Sequence, residues 1–246
     1  MSQQHTISAN SLFHFTKRLD NLLGILKNEF IPKYREEEFT FSKVRDKYSL
    51  FVPMVCFCDL PLSQIKNHVS EYGEYGVGLS KEWGVSNGLN PVIYLQKGTV
   101  ISDAITEIGN FIFKHKNTIA DVTTDISAST NMLRAFIKPY ELEDVFDGTT
   151  IRYYDESEWR YVPKLPVFAA INPSKAIKVL NNAIAIDKSV RLRFEPEDVK
   201  YIIVKKEDER LEMIHSIQSI KSKYTEDQRL ILISKIFVTN DIMSDV

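Results

Sequence analysis

Cysteine is almost missing from this chain: among 246 residues only Cys56 and Cys58 occur. Two thiols two positions apart on an apolar, strand-like run suit neither a disulfide staple nor a four-ligand zinc site, so they read as small hydrophobes in a reducing compartment. No apolar run is long enough to span a bilayer, and the polar stretch from Met1 to Ser11 holds no apolar core of the signal-peptide kind. The expectation is a cytoplasmic protein with no membrane partner. Neither charge sign dominates: 31 Lys and Arg against 33 Asp and Glu leave a net charge of -2. Nothing in that balance calls for tight nonspecific nucleic-acid binding, although a local basic groove is compatible with a neutral total. Also absent are a Walker loop, Gly-x-Gly-x-x-Gly and His-Glu-x-x-His, which removes the commonest nucleotide and zinc-peptidase signatures. No metal is expected. There is no internal repeat and no obvious linker, so residues 1–246 read as a single domain in which 207–246 forms a C-terminal helical elaboration.

What the chain does have is an aromatic, charged stretch from Tyr153 to Val162 that ends at Pro163 and lacks glycine. Its composition predicts a strand. Alternation then puts Tyr154, Glu156, Glu158 and Arg160 on one face and Tyr153, Asp155, Ser157, Trp159 and Tyr161 on the other. One reading of the charged face is a solvated edge with an ion pair of little energetic weight. The other starts from Trp159 and its aromatic neighbours, which are costly to leave in water and therefore argue that the strand is packed on their side. A strand so packed would display Glu-x-Glu into a cleft, where carboxylates stabilise an oxocarbenium-like sugar cation. NAD contains such a bond between ribose and nicotinamide.

Earlier in the chain, Leu12 to Thr16 is a short aromatic strand with His14 on the face opposite Phe13 and Phe15, followed by a helix carrying Leu22, Leu23, Ile25 and Leu26. His14 fits a structural role or a hydrogen bond to a ribose hydroxyl, with Thr16 on the same face. Tyr34 to Tyr48 is densely charged and reads as a surface loop or lid. Pro53 to Cys58 predicts a buried strand, Ser63 to Tyr72 a short helix, and Tyr75 to Ser80 a strand whose Gly76 and Gly78 mark either a cleft wall or a tight crossing or bulge. Tyr75 fits stacking on a flat ring or plain packing. Ser102 to Lys116 predicts a helix with Ile105, Ile108, Phe111 and Ile112 on a core face. Asn131 to Lys138 reads as helix, Val167 to Ile171 as strand, Asn181 to Ile186 as a turn, Arg191 to Phe194 as a half-buried strand and Tyr201 to Val204 as a core strand. Glu207 to Lys221 and Thr225 to Phe237 read as closing helices, the second with a capping box at Thr225.

Four segments together make a pattern: His14-Phe-Thr16, Pro53-Met-Val-Cys-Phe-Cys-Asp-Leu-Pro-Leu-Ser63, Tyr72-Gly-Glu-Tyr-Gly-Val-Gly-Leu-Ser-Lys-Glu-Trp83 and Asp155-Glu-Ser-Glu-Trp-Arg160. In them the chain resembles the AbiGi family of abortive phage-infection proteins over nearly its whole length. The order of a His/Thr strand, a Tyr/Gly strand and a late Glu strand is also similar to the ADP-ribosyltransferase superfamily. That second resemblance implies an α+β fold with a split, mostly antiparallel β-sheet core of ADP-ribosyltransferase type, flanking helices and a C-terminal helical segment. It implies NAD as co-substrate, with His14 and Thr16 at the adenosine-side or nicotinamide ribose, Phe15 also lining the cofactor site, Tyr75 on nicotinamide, and Arg160 either facing the pyrophosphate or supporting the residues that do. Glu158 would then stabilise the transition state, and Glu156 would orient or deprotonate the acceptor. The function so implied is a mono-ADP-ribosyltransferase toxin of an abortive-infection system, acting on protein, RNA or DNA and restrained by a cognate antitoxin. The competing expectation is a non-enzymatic antitoxin or partner-binding component of such a pair. NAD hydrolysis without a macromolecular acceptor is a third.

Overall fold

The computed structural model describes residues 9–37, 49–64, 69, 72–115, 120–143, 148–170 and 173–239. In chain order these form β1 (Ser11–Thr16), α1 (Leu19–Asn28), β2 (Lys33–Glu37), β3 (Ser49–Cys58), β4 (Tyr75–Ser80), α2 (Lys81–Ser86), β5 (Asn90–Pro91) and β6 (Ile93–Leu95). There follow α3 (Val100–His115), α4 (Ala120–Arg134), β7 (Ile137–Pro139), β8 (Leu142–Glu143), β9 (Thr150–Ile151), β10 (Glu158–Tyr161) and β11 (Phe168–Ala170). The chain closes with α5 (Ser174–Ile186), β12 (Val199–Val204), α6 (Glu207–Ser219), α7 (Glu226–Ile233) and β13 (Ile236–Val238). Contacts gather these elements into two compact units: Met1–Ile31 with Cys56–Leu89 and Arg191–Val246, and Pro32–Val55 with Asn90–Val190. The class is α+β with mostly antiparallel pairing; β12 with β13 and β6 with β7 are parallel.

In the first unit the strands run β13-β12-β4-β1-β3. β1 and β4 pair over their full length, from Ser11 opposite Ser80 to Thr16 opposite Tyr75. Directly opposed residues share a face, so Leu12, Val77 and Leu79 form one buried layer. Helix α1 packs against β1 and β4 and buries Leu22 and Leu26, one turn apart. The other face is aromatic. A Cβ on Gly76 would stand 2.8 Å from the Phe15 ring, and one on Gly78 would stand 2.7 Å from Phe13 and 3.0 Å from Tyr201. Both glycines therefore serve a tight crossing under aromatic rings, with a bulge in β12 between Val199 and Tyr201 alongside, and not a cleft wall. Trp83, Phe57, Phe194 and His14 surround Phe30 edge to face or tilted, with centroids 5.2–6.2 Å away.

In the second unit β3 pairs antiparallel with β2, Lys33 opposite Met54 through Glu37 opposite Leu50, and with β11 at Phe51 and Phe168. β10 pairs with β5, and β6 with β7. Several predicted elements differ. Residues 34–37 belong to β2, whose Tyr34 is buried against Phe168, while the rest of the expected 34–48 loop lies outside the described residues. Most of the helix expected over 63–72 does too. Helix α4 ends at Arg134, and the apolar Ile137 continues as strand because Tyr94 and Leu95 offer a parallel edge. Asn181 to Ile186 is the last stretch of α5, Arg191 to Phe194 makes only a bridge between Leu192 and Phe30, and the closing helix stops at Ile233 to let Ile236 pair with Ile202. Among the described residues no helix is long and apolar enough to cross a membrane.

Candidate functional site

The charged strand is shorter than expected and turned the other way. Tyr153–Glu156 is a 3-10 turn that ends in Ser157, whose φ of 45° places it in the left-handed region and redirects the chain into β10. Only Glu158 to Tyr161 alternate as a strand. Its buried face carries Glu158 and Arg160, while Trp159 and Tyr161 are half-buried. The expected alignment of Tyr154, Glu156, Glu158 and Arg160 on one strand face therefore fails, because Glu156 precedes the left-handed residue.

Burial of these charges is possible because every one meets its opposite. Arg160 Nε and Nη2 donate to the two oxygens of Glu158 at 2.7 and 3.1 Å, a bidentate pair along one strand face. Arg160 Nη1 donates to the Ala135 carbonyl at 2.6 Å, and Nη2 also reaches Glu37 at 2.9 Å. Lys138, from β7, donates to Glu156 at 2.6 Å and to Glu158 at 3.2 Å, with its ammonium 4.4 Å from the centroid of Tyr153. Tyr94, beside Lys138 in the parallel β6–β7 register, accepts the Glu158 backbone N–H at 2.8 Å. Arg160 is 1% exposed and Glu158 6%. Burial pushes the Tyr94 phenol well above its ordinary pKa. Burial pulls the Lys138 ammonium down, but Glu158 and Glu156 together outweigh it and the net shift is upward. Among the described residues three carboxylates and two cations form one network in which both Glu158 oxygens are engaged. Its chemistry is that of a structural clamp joining β2, β7, β10 and the end of α4.

Of the expected cofactor residues, His14, Phe15, Thr16 and Tyr75 belong to the first unit, whereas Glu156, Glu158 and Arg160 belong to the second. The structure does bring His14, Phe15, Thr16 and Tyr75 onto adjacent strands. Each is occupied there. His14 Nδ1 lies 2.8 Å from the Cys56 carbonyl, an acceptor, so this nitrogen carries the proton. Phe15 lies over Gly76 and stacks on Phe13, and Thr16 Oγ1 accepts from Asn21 at 2.9 Å. The Tyr75 hydroxyl donates to Glu209 at 2.8 Å. Burial, ahead of the Glu209 hydrogen bond and charge, pushes its pKa up to about 12 from 10.0. Since the folded-state value is the higher one, its contribution to stability is complete below the ordinary value and is lost as pH rises toward about 12. An ultraviolet titration of the parent minus that of Tyr75→Phe should show this late ionisation, and Glu209→Gln should bring it back toward 10.0. A Tyr75 that titrates with unperturbed tyrosines would contradict the contact.

Sequence alone does not single out Lys138, Glu37 or Tyr94. Lys138 looked like the last residue of a helix before Pro139, and Glu37 sits in Glu36-Glu37-Glu38, a run that reads as solvated. Among the described residues no group of three or more His, Cys, Asp or Glu side chains is arranged to hold a metal ion.

An α+β chain whose late Glu-x-Arg strand turns inward, into a saturated ion-pair network, defines a scaffold with a structural charge cluster. The family model described as "Putative abortive phage resistance protein AbiGi, antitoxin" matches residues 28–205, well over half of the sequence, and the chain belongs to this AbiGi family. It is 26% identical to the abortive phage resistance protein AbiGi of Lactococcus lactis subsp. cremoris, over 88% of this chain and 99% of that one. No solved structure matches. The family's description as an antitoxin overturns the expectation of an ADP-ribosyltransferase toxin held in check by a separate antitoxin. In sequence Glu-x-Glu-x-Arg suits a strand that displays its charges into a cleft; in the structure Glu156 and Glu158 meet Lys138, and Arg160 meets Glu158 and Glu37. Neither the family's description nor the Lactococcus relative's name mentions NAD or a macromolecular acceptor.

Proposed function

We propose that the chain is a non-enzymatic antitoxin, the partner-binding component of an abortive-infection toxin–antitoxin pair. The observation that carries this reading is the description of its family as an antitoxin, reached through a match that spans parts of both compact units. The geometry supports it. An antitoxin that acts by binding needs a rigid scaffold, and Arg160 and Lys138 fix Glu158 of the late strand in a hydrogen-bonded network. Its partner is a toxin of the same defence system. Host cells that carry the toxin gene under one inducible promoter and this chain under another provide the test. Inducing the chain should restore colony formation in proportion to its level, and purified chain and toxin should migrate together in size-exclusion chromatography. Colony counts unchanged at every level of the chain would contradict the proposal.

A further inference from the structure

Helix α3 is apolar over two adjacent stripes, and only one of them is covered. Ser102, Ile105, Gly109 and Ile112 form the inner stripe; Ser102 is fully buried and Ile105 packs against Leu95 and Ile137. The outer stripe is Ile101, Ala104, Ile108 and Phe111. Sequence periodicity assigned Ile108 and Phe111 to the core, yet Ile101 is 59%, Ile108 44% and Phe111 53% exposed. The spacing of three, four and three residues is the a/d pattern of a two-helix seam, over a helix of 16 residues. Beside this seam, at the g positions, stand two exposed side chains of opposite charge, Glu107 and Lys114.

That pair of charges selects the occupant. If α3 meets α3 of a second copy antiparallel about a two-fold axis, Ile108 of each copy faces Phe111 of the other, Ala104 of each faces His115 of the other, Ile101 lies outside the overlap of the two helices, and Glu107 of each falls beside Lys114 of the other. Two symmetry-related ion pairs then flank the seam. A parallel pairing would set Glu107 against the apolar Ile112 instead and form neither pair. Antiparallel packing also opposes the two helix dipoles. We infer that the outer face of α3 is a self-association surface, which pairs this chain with a second copy through an antiparallel α3–α3 seam. The seam is small beside the roughly 1,200–2,000 Å² of a standard stable interface, so the dimer is expected to be reversible, with a dissociation constant of about micromolar order.

Sedimentation velocity over a concentration series tests this on the chain alone, and its outcome does not depend on whether the chain neutralises a toxin. The parent should move from monomer to dimer as concentration rises. Glu107→Lys and Lys114→Glu each turn two attractive pairs into repulsive ones and should each weaken the dimer about five- to tenfold. An equimolar mixture of the two variants regains both attractive pairs and should associate at least as well as the parent, as should the double variant Glu107→Lys/Lys114→Glu. Far-UV circular dichroism identical to the parent's establishes that the exposed substitutions leave the fold intact, and either single variant suffices for the comparison. A monomer at all concentrations overturns the inference. So does a dimer indifferent to both charge changes, or a mixture that associates no better than its components. A chain that stays monomeric but loses toxin binding in Ile108→Lys would show that another protein occupies this face.

Discussion

Arg160→Ala is expected to destabilise the second unit by about 3–5 kcal/mol, the usual cost of removing one partner from a buried ion pair. The side chain is 1% exposed and holds both oxygens of Glu158, one oxygen of Glu37 and the Ala135 carbonyl. Among the described residues, its loss leaves the carboxylates of Glu37, Glu156 and Glu158 with Lys138 as their remaining cation. At this chain length that cost corresponds to a fall of roughly 6–20 °C in Tm. Arg160→Lys should recover little of it, because an ammonium cannot form the fork that grips Glu158 while also reaching Glu37. The double variant Arg160→Met/Glu158→Leu should be less damaging than Arg160→Ala, since it removes both charges together and leaves no uncompensated partner on the strand. Urea denaturation of the set checks this. An Arg160→Ala midpoint equal to the parent's would mean that the cluster is solvated and carries no structural weight.

Phe30→Ala should have an effect of similar size on the first unit, about 3–5 kcal/mol for truncation of a core aromatic ring. Phe30 is 1% exposed and touches His14, Phe57, Trp83 and Phe194 at centroid separations of 5.2–6.2 Å. Its backbone also exchanges two hydrogen bonds with Leu192, which ties the end of α1 to the segment leading into β12. Truncation empties the centre of an aromatic cluster whose rings are fixed by neighbours on four different stretches of chain, so the cavity has little freedom to collapse. Phe30→Leu should cost clearly less. Hydrogen exchange should report the loss first at β1, β4 and the Leu192 bridge, and full protection there in Phe30→Ala would contradict this account of the core.

Much of the strand framework could be read from the sequence because alternation and composition agree. Leu12 to Thr16, Tyr75 to Ser80 and Tyr201 to Val204 became strands, and Leu22 with Leu26 marked α1. The direction of the charged strand could not be read. Alternation separates two faces without saying which is inward, and Trp159 with Tyr161 weighs more on any hydrophobic scale than Glu158 with Arg160. What reverses the choice is supplied from afar: Glu37 lies 123 positions from Arg160 and Lys138 lies 20 from Glu158. Ser157 was equally opaque, since serine in the left-handed region has no sequence signature. Gly76 and Gly78 showed that something comes close, but the intruders were Phe15 and Phe13 of the neighbouring strand, which only the register reveals. In α3 the periodicity found the apolar residues and overestimated how many of them the fold covers.

Growth of a host in which this chain is induced by itself, next to a culture with Glu158→Gln, bears most directly on the antitoxin reading. The account predicts that both cultures grow at the rate of cells carrying the empty vector. Arrest by the parent chain that Glu158→Gln relieves would contradict it, and would return the late-strand carboxylate from structural clamp to toxic chemistry.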